Sequence, residues 1–161
     1  MTVDEKIFHT LKEAFPSLKL MKDDFYLIGS AALILSGIKI ENIYDLDILV
    51  SDRDADFLMA EWGNRRIIGH APKDNELFSS KFARYKFSEL DIEILGELKV
   101  NKMGVWERLE ISDSQSITID DFEIKTPTLN EQKRILQLFG RKKDKDRLKL
   151  IDKKLSDSYV F

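Results

Sequence analysis

Two short stretches of this chain alternate acidic and apolar residues in a way that only extended backbone can use. They are Asp45-Leu46-Asp47-Ile48-Leu49-Val50 and Leu90-Asp91-Ile92-Glu93-Ile94-Leu95. Successive side chains of a strand face opposite ways. Asp45 and Asp47 therefore share one face, while Leu46, Ile48 and Val50 share the other; Leu49 lies further along the carboxylate face. Asp91 and Glu93 likewise oppose Leu90, Ile92 and Ile94. Such strands need an apolar layer against one side of a sheet. On the other side neighbouring carboxylates repel, and a divalent cation between them relieves the repulsion. If the two strands pair, three or four carboxylates converge, which is the arrangement two-metal phosphoryl transfer requires.

The remaining residue types limit what such a cation can be. The chain has no cysteine and two histidines, His9 and His70. Thiolate sites, disulfides and cysteine nucleophiles are excluded, and a His-rich zinc site is disfavoured. Oxygen ligation favours magnesium, manganese or calcium. A net charge of −3 and a pI of about 5.5 give no global pull toward nucleic acid, which disfavours a long nucleic-acid partner and leaves a local basic groove near Lys142 and Lys143 open.

Length and hydropathy point to one soluble unit. At 161 residues with 43% hydrophobic content, the chain suits a single domain with a real core. The first residues carry acids where a signal peptide needs bases. The longest nearly uncharged run, residues 25–38, holds two glycines and is short of the roughly 20 residues of a membrane span. The expectation is a cytoplasmic protein without a membrane segment. No repeat or flexible linker divides it. The expected unit is 1–161, with a core at about 24–95 and a C-terminal hairpin and helices at about 105–155.

The pattern along the chain predicts the following elements. Apolar spacing over 2–15 is helical, with Pro16 closing it. Residues 25–28 read as a buried strand that Gly29 ends; Ser30 then caps a short helix from Ala31 to Ser36, stopped by Gly37. After the 45–50 strand, Ser51 or Asp52 caps a helix to about Trp62. Residues 63–80 lack periodicity and read as loop. Strands at 82–87 and 91–95 form a hairpin, and strands at 116–119 and 122–126 form a second one turning at Asp120-Asp121. Thr128 caps a helix from Leu129 to Phe139, Gly140 breaks it, and Asp144 to Leu155 is a final charged helix. The order predicts an α+β (mixed α/β) fold with a small central mixed sheet flanked by helices.

Gly29-Ser30 adds a second element to the acidic strands. Glycine lets backbone approach a ligand closely, free amides at a helix start suit an anion, and the Ser30 hydroxyl can donate to a phosphate oxygen. The spacing is neither a Walker loop nor a dinucleotide fingerprint.

Taken together, Ile28-Gly29-Ser30 and Tyr44-Asp45-Leu46-Asp47-Ile48 resemble the signature of the nucleotidyltransferase superfamily, the fold of DNA polymerase beta. That signature is an apolar residue, Gly, then Gly or Ser, a short helix, and an apolar-flanked Asp-x-Asp/Glu strand. Here the spacing from Ser30 to Asp45 is longer than its tightest form, and Tyr44 stands where many relatives carry a small polar or basic residue. A third carboxylate follows on a later strand in that family. Asp91 and Glu93 both fit, with Asp91 preferred. The tail, with Lys133 and Arg141-Lys142-Lys143-Asp144, is similar to small bacterial members of the lincosamide-resistance-like and abortive-infection types. The resemblance implies catalytic Asp45, Asp47 and Asp91 or Glu93, and metal held by Asp45, Asp47 and Asp91. It further implies nucleotide contacts from Gly29, Ser30, Lys133 and Lys143. Apart from the resemblance, Arg84 and Lys86 on the first hairpin strand are expected only as neighbours of the phosphates. The implied cofactor is Mg²⁺ or Mn²⁺. The implied substrates are an NTP, ATP foremost, and an unidentified hydroxyl acceptor, with a homodimer left open. The alternative is a non-catalytic nucleotidyltransferase-like module that binds a nucleotide or a protein.

Overall fold

The computed structural model describes residues 1–157; the last four residues of the expected 1–161 unit lie outside the described residues. The first helix, α1 (Val3–Leu18), is capped by the Thr2 hydroxyl, which accepts from the Glu5 amide. It runs through Pro16 rather than ending there. A proline in the last turn forfeits one helical hydrogen bond, and that loss is offset because Leu18, two residues on, is 1% exposed and anchored in the core.

The central sheet is built from β1 (Tyr26–Ile28), β2 (Asp45–Val50), β3 (Phe78–Tyr85), β4 (Asp91–Lys102) and β5 (Val105–Arg108). Its order is β1-β2-β4-β3, with β5 paired to the far end of β4. β1 is antiparallel to β2, β2 is parallel to β4, and β3 is antiparallel to β4. Two strands were expected here to be shorter. β3 begins at Phe78, inside the segment read as loop, and β4 continues well past Leu95 into a hairpin with β5. The alternation fails beyond Leu95 because the β3–β4 register shifts between Ser79 and Lys81. Glu97 sits there with φ of 49°, and after this bulge Leu98 and Val100 take the face that Glu93 and Leu95 hold before it.

One face of the sheet carries Leu46, Ile48, Ile92, Ile94 and Tyr85 into a core shared with Ile7, Leu11 and Leu18 of α1. Ala55 and Leu58 of α3 (Asp52–Glu61) complete that core. Ser51 caps α3, and the buried Asp54 accepts from the Lys22 and Asp23 amides, tying the entry of β1 to this helix. A 3-10 turn at Gly63–Arg65 follows α3.

The opposite face is divided. At one end it holds the acids. At the other, Ile28, Leu49, Leu98 and Val100 pack with Ile135 of α4 (Leu129–Phe139). Thr128 caps α4, and Gly140, at φ of 66°, ends it in the left-handed conformation that glycine adopts without strain. A separate hairpin, β6 (Ser114–Ile119) and β7 (Phe122–Pro127), precedes α4. The last helix, α5 (Lys142–Asp157), starts two residues earlier than its apolar spacing suggested because Asp144 accepts from the Arg141 amide and holds the first turn. The result is an α+β fold with a small mixed sheet. Among the described residues no helix is long and apolar enough to cross a membrane.

Candidate functional site

The β2–β4 register decides which acids meet. The parallel ladder sets Asp45 beside Asp91 and Asp47 beside Glu93. Carboxylate oxygens of Asp45, Asp47 and Glu93 lie within 4.8 Å of one another, close enough to share a metal ion. Asp91 is not in that group; its Oδ2 accepts from Arg84 Nε at 3.0 Å.

Gly29 lies against this cluster. β1 hands directly over to α2 (Gly29–Leu35), whose preceding residue, Ile28, provides no side-chain cap. Ser30 was expected to cap this helix. It instead sits inside the first turn and lines the cleft, because the helix already starts at Gly29. Gly29 has φ of 71°, and a Cβ built there would meet Asp47 Oδ2 at 2.7 Å. Both the conformation and the space therefore require glycine. The missing side chain keeps one face of the Asp47 carboxylate open.

Arg84 reaches the acids from β3, where it pairs with Glu93 across the ladder. Its Nη1 donates to Glu93 Oε1 at 2.6 Å and to Asp45 Oδ2 at 3.0 Å. Cations also line the cleft. Lys143, Arg141 and Arg147 of the α5 region line it together with Ser30 and Lys73. Asp144, fully buried, orients Arg141 through its Nε at 2.7 Å, and Arg141 also bonds Asp74 at 2.8 Å. The Arg141 guanidinium lies 4.9 Å from the centre of the Phe78 ring, a cation–π contact. The whole cleft encloses about 470 Å³, and Leu33, Leu98, Ile135, Leu136 and Phe139 give it an apolar wall.

The electrostatics follow from that packing. Burial first, then the charges of Asp45 and Glu93, push the Asp47 carboxyl up to about 8. Glu93 is also raised, by burial and by Asp45, with Arg84 opposing the shift. Burial works against the Arg84 charge, and the hydrogen bonds it donates to Asp91 and Asp45 outweigh that. Lys143 is lowered by burial and by its neighbours Arg141 and Arg147. An all-oxygen donor set of three crowded acids, whose mutual repulsion a divalent cation would relieve, suits a hard cation.

Of the residues singled out from the sequence, Gly29, Ser30, Asp45, Asp47, Arg84, Glu93 and Lys143 line one cleft. Lys133 does not line it; its Nζ lies 2.6 Å from Asp152 on α5, joining the two C-terminal helices. Lys86 is exposed, and its amide bonds the Arg65 carbonyl. His70 carried no signal in the aperiodic 63–80 segment. It lies 3.7 Å from Glu93 Oε1 and stacks on Phe82 at 5.9 Å between ring centres. Arg141 and Arg147 fall in the basic stretch after Gly140, but only the helix geometry distinguishes which of its cations face the cleft.

No family model matches the chain, and no curated protein matches it. Its fold does match solved structures. It is similar to a candidate nucleotidyltransferase from Thermotoga maritima, with 19% identity over 98% of this chain and 96% of that one, at a TM-score of 0.74. It is also similar to the lincosamide antibiotic adenylyltransferase LnuA in its lincomycin-bound form, with 13% identity over 94% and 97% of the two chains and a TM-score of 0.57. An antigenic nucleotidyltransferase-like protein from Paracoccidioides brasiliensis shares 16% identity over 94% and 77% of the chains, at a TM-score of 0.54. The chain thus has a nucleotidyltransferase-like fold.

Proposed function

We propose that this protein transfers a nucleoside monophosphate from an NTP to a hydroxyl acceptor in a metal-dependent reaction. The observation that carries the reading is the convergence of Asp45, Asp47 and Glu93 within 4.8 Å, directly against the side-chain-free Gly29 turn. In this reading those three acids hold Mg²⁺ or Mn²⁺, with Glu93 rather than Asp91 as the third ligand, because Asp91 is outside the group and engaged by Arg84. The bound cation supplies charge neutralisation and a polarised phosphate.

The chain's own residues supply the rest. Ser30 and the Gly29 amide face the distal phosphates, and Lys143 and Arg147 line the same cleft. The acceptor oxygen attacks the α-phosphorus, a new P–O bond forms, the α–β anhydride breaks, and pyrophosphate leaves. The hydroxyl proton passes to solvent or to a cleft base, and His70 beside Glu93 is placed to take it. Positioning and charge neutralisation provide most of the acceleration. The apolar wall suits a small acceptor or the nucleobase. ATP is the first nucleotide to test, since LnuA is an adenylyltransferase.

The test uses α-labelled NTPs with Mg²⁺ and a cell extract or hydroxyl-compound panel. Label transfer by wild type that Asp45→Asn abolishes supports the reading. Absence of transfer with every NTP and acceptor pool overturns the enzymatic reading and leaves the alternative of a non-catalytic nucleotide- or protein-binding module.

A further inference from the structure

Arg84 is unlike the other cations of the cleft. Lys143, Arg141 and Arg147 stand on the wall contributed by α5, whereas Arg84 rises from the sheet between the acids, its side chain 14% exposed. It engages acids of two strands at once: Asp45 Oδ2 at 3.0 Å, Glu93 Oε1 at 2.6 Å and Asp91 Oδ2 at 3.0 Å. The ladder fixes this arrangement. Arg84 is registered against Glu93, and Glu93 against Asp47 on the next strand. A planar guanidinium with a rigid fork of donors suits several carboxylates held at fixed spacing, where a lysine ammonium offers a single point charge.

We propose that Arg84 is the resident cation of the acidic cleft, occupying the ground among Asp45, Asp91 and Glu93 that a second divalent ion would need, so that the nucleotide-free protein takes a single divalent cation. The inference rests on the metal-site reading above and changes the expected two-metal arrangement. Arg84 takes one oxygen each of Asp45 and Glu93 and none of Asp47, which leaves an oxygen-lined position for one ion on the Gly29 side. Charge balance agrees. Counting the four strand acids with Arg84 and Lys143, the two cations that act on Asp47, one divalent ion brings the charges of Asp45, Asp47, Asp91 and Glu93 to balance. A second ion leaves positive charge in excess until an anionic nucleotide arrives.

The experiment titrates Mn²⁺ into the metal-stripped full chain without nucleotide and follows free Mn²⁺ by electron paramagnetic resonance. Wild type is expected to bind about one Mn²⁺ per chain. Arg84→Met is expected to bind a second ion, or to bind the first about tenfold more tightly, since a cation next to the site is gone. Arg84→Lys keeps the charge and should return close to wild type. Two ions bound by wild type overturn the proposal whether or not the variants fold. Equal stoichiometry and affinity in folded Arg84→Met also overturn it, as does the absence of Mn²⁺ binding in both proteins. Label transfer is read separately. Wild type that binds one ion and transfers no label overturns the enzymatic reading alone; wild type that transfers label yet binds two ions in the absence of nucleotide overturns this inference alone.

Discussion

The two faces of the same strands make opposite demands on the protein. On one, Leu46, Ile48, Ile92 and Ile94 are at most 1% exposed and close-packed. On the other, residues interleaved with them hold four acids next to one another, one pushed up to about 8. The first face stabilises the fold. The second strains it electrostatically, and the strain is offset in part by Arg84 and Lys143. Stability and site chemistry are therefore separated by one residue step along β2 and β4, and substitutions at adjacent positions should have opposite characters.

The largest expected contrast is between Asp45→Asn and Ile48→Ala. Asp45→Asn should lower label transfer by about 10³-fold or more with the melting temperature unchanged or raised. Ile48→Ala should cost about 2–5 kcal/mol in denaturant unfolding, since the residue is fully buried, while leaving transfer by the folded fraction intact. Loss of stability in Asp45→Asn comparable to that of Ile48→Ala would erase the contrast.

Gly29→Ala belongs to both faces. It forces alanine into a left-handed φ and sets a Cβ 2.7 Å from Asp47 Oδ2. Chemical denaturation should show a loss of about 1–3 kcal/mol, and Mn²⁺ affinity should fall with it. A variant with wild-type affinity would show that Gly29 serves the turn and not the cluster.

A smaller effect concerns pH. The Asp47 carboxyl is raised in the folded, metal-free protein, so between its unfolded and folded values the folded state binds more protons. Stability then falls as pH rises from about 4 to about 8, because the unfolded state releases a proton that the folded state retains. Asp47→Asn should reduce that slope, leaving the part that the raised Glu93 carboxyl contributes. In chelator, its melting temperature should exceed wild type by several degrees at pH 8 and converge on it near pH 4. An unchanged pH slope would show that Asp47 is not the strained acid. The smallest contrast is between two lysines. Lys133→Ala breaks a partly exposed pair with Asp152, worth about 0–1 kcal/mol, and should leave nucleotide binding alone. Lys143→Ala should weaken it several-fold, as measured by nucleotide titration.

How far these features could be read from the chain follows the same division. The apolar face repeats at the strand period, so β2, the start of β4 and the core at Leu46 and Ile94 were evident. Thr128, Leu129–Phe139 and Gly140 form a helix whose cap, apolar spacing and terminating glycine agree. The rest depends on register. Nothing in Asp91-Ile92-Glu93 says which acid lies beside Asp47; the parallel ladder does. The continuation of β4 was hidden because the bulge at Glu97 reverses its alternation, and β5 because all four of its residues are exposed. Ser30 looked like a cap because Gly29 reads as a turn, whereas its positive φ opens the helix directly. Arg84 reads only as a neighbour of the phosphates, on a par with the exposed Lys86, and nothing local marks it as a partner of the acids. Its part is defined by acids seven and nine residues further on, on the neighbouring β4, and by Asp45 one strand beyond, on β2.

Whether the divided face is a metal–nucleotide site is read most directly by thermal melting with MnCl₂ plus ATP, comparing wild type with Asp47→Asn. A ligand that binds only the native state must raise the melting temperature. Wild type should rise by several degrees at saturating ligand, and Asp47→Asn should not respond beyond its own metal-free value. No rise in wild type with any NTP, or an equal rise in Asp47→Asn, would contradict the site.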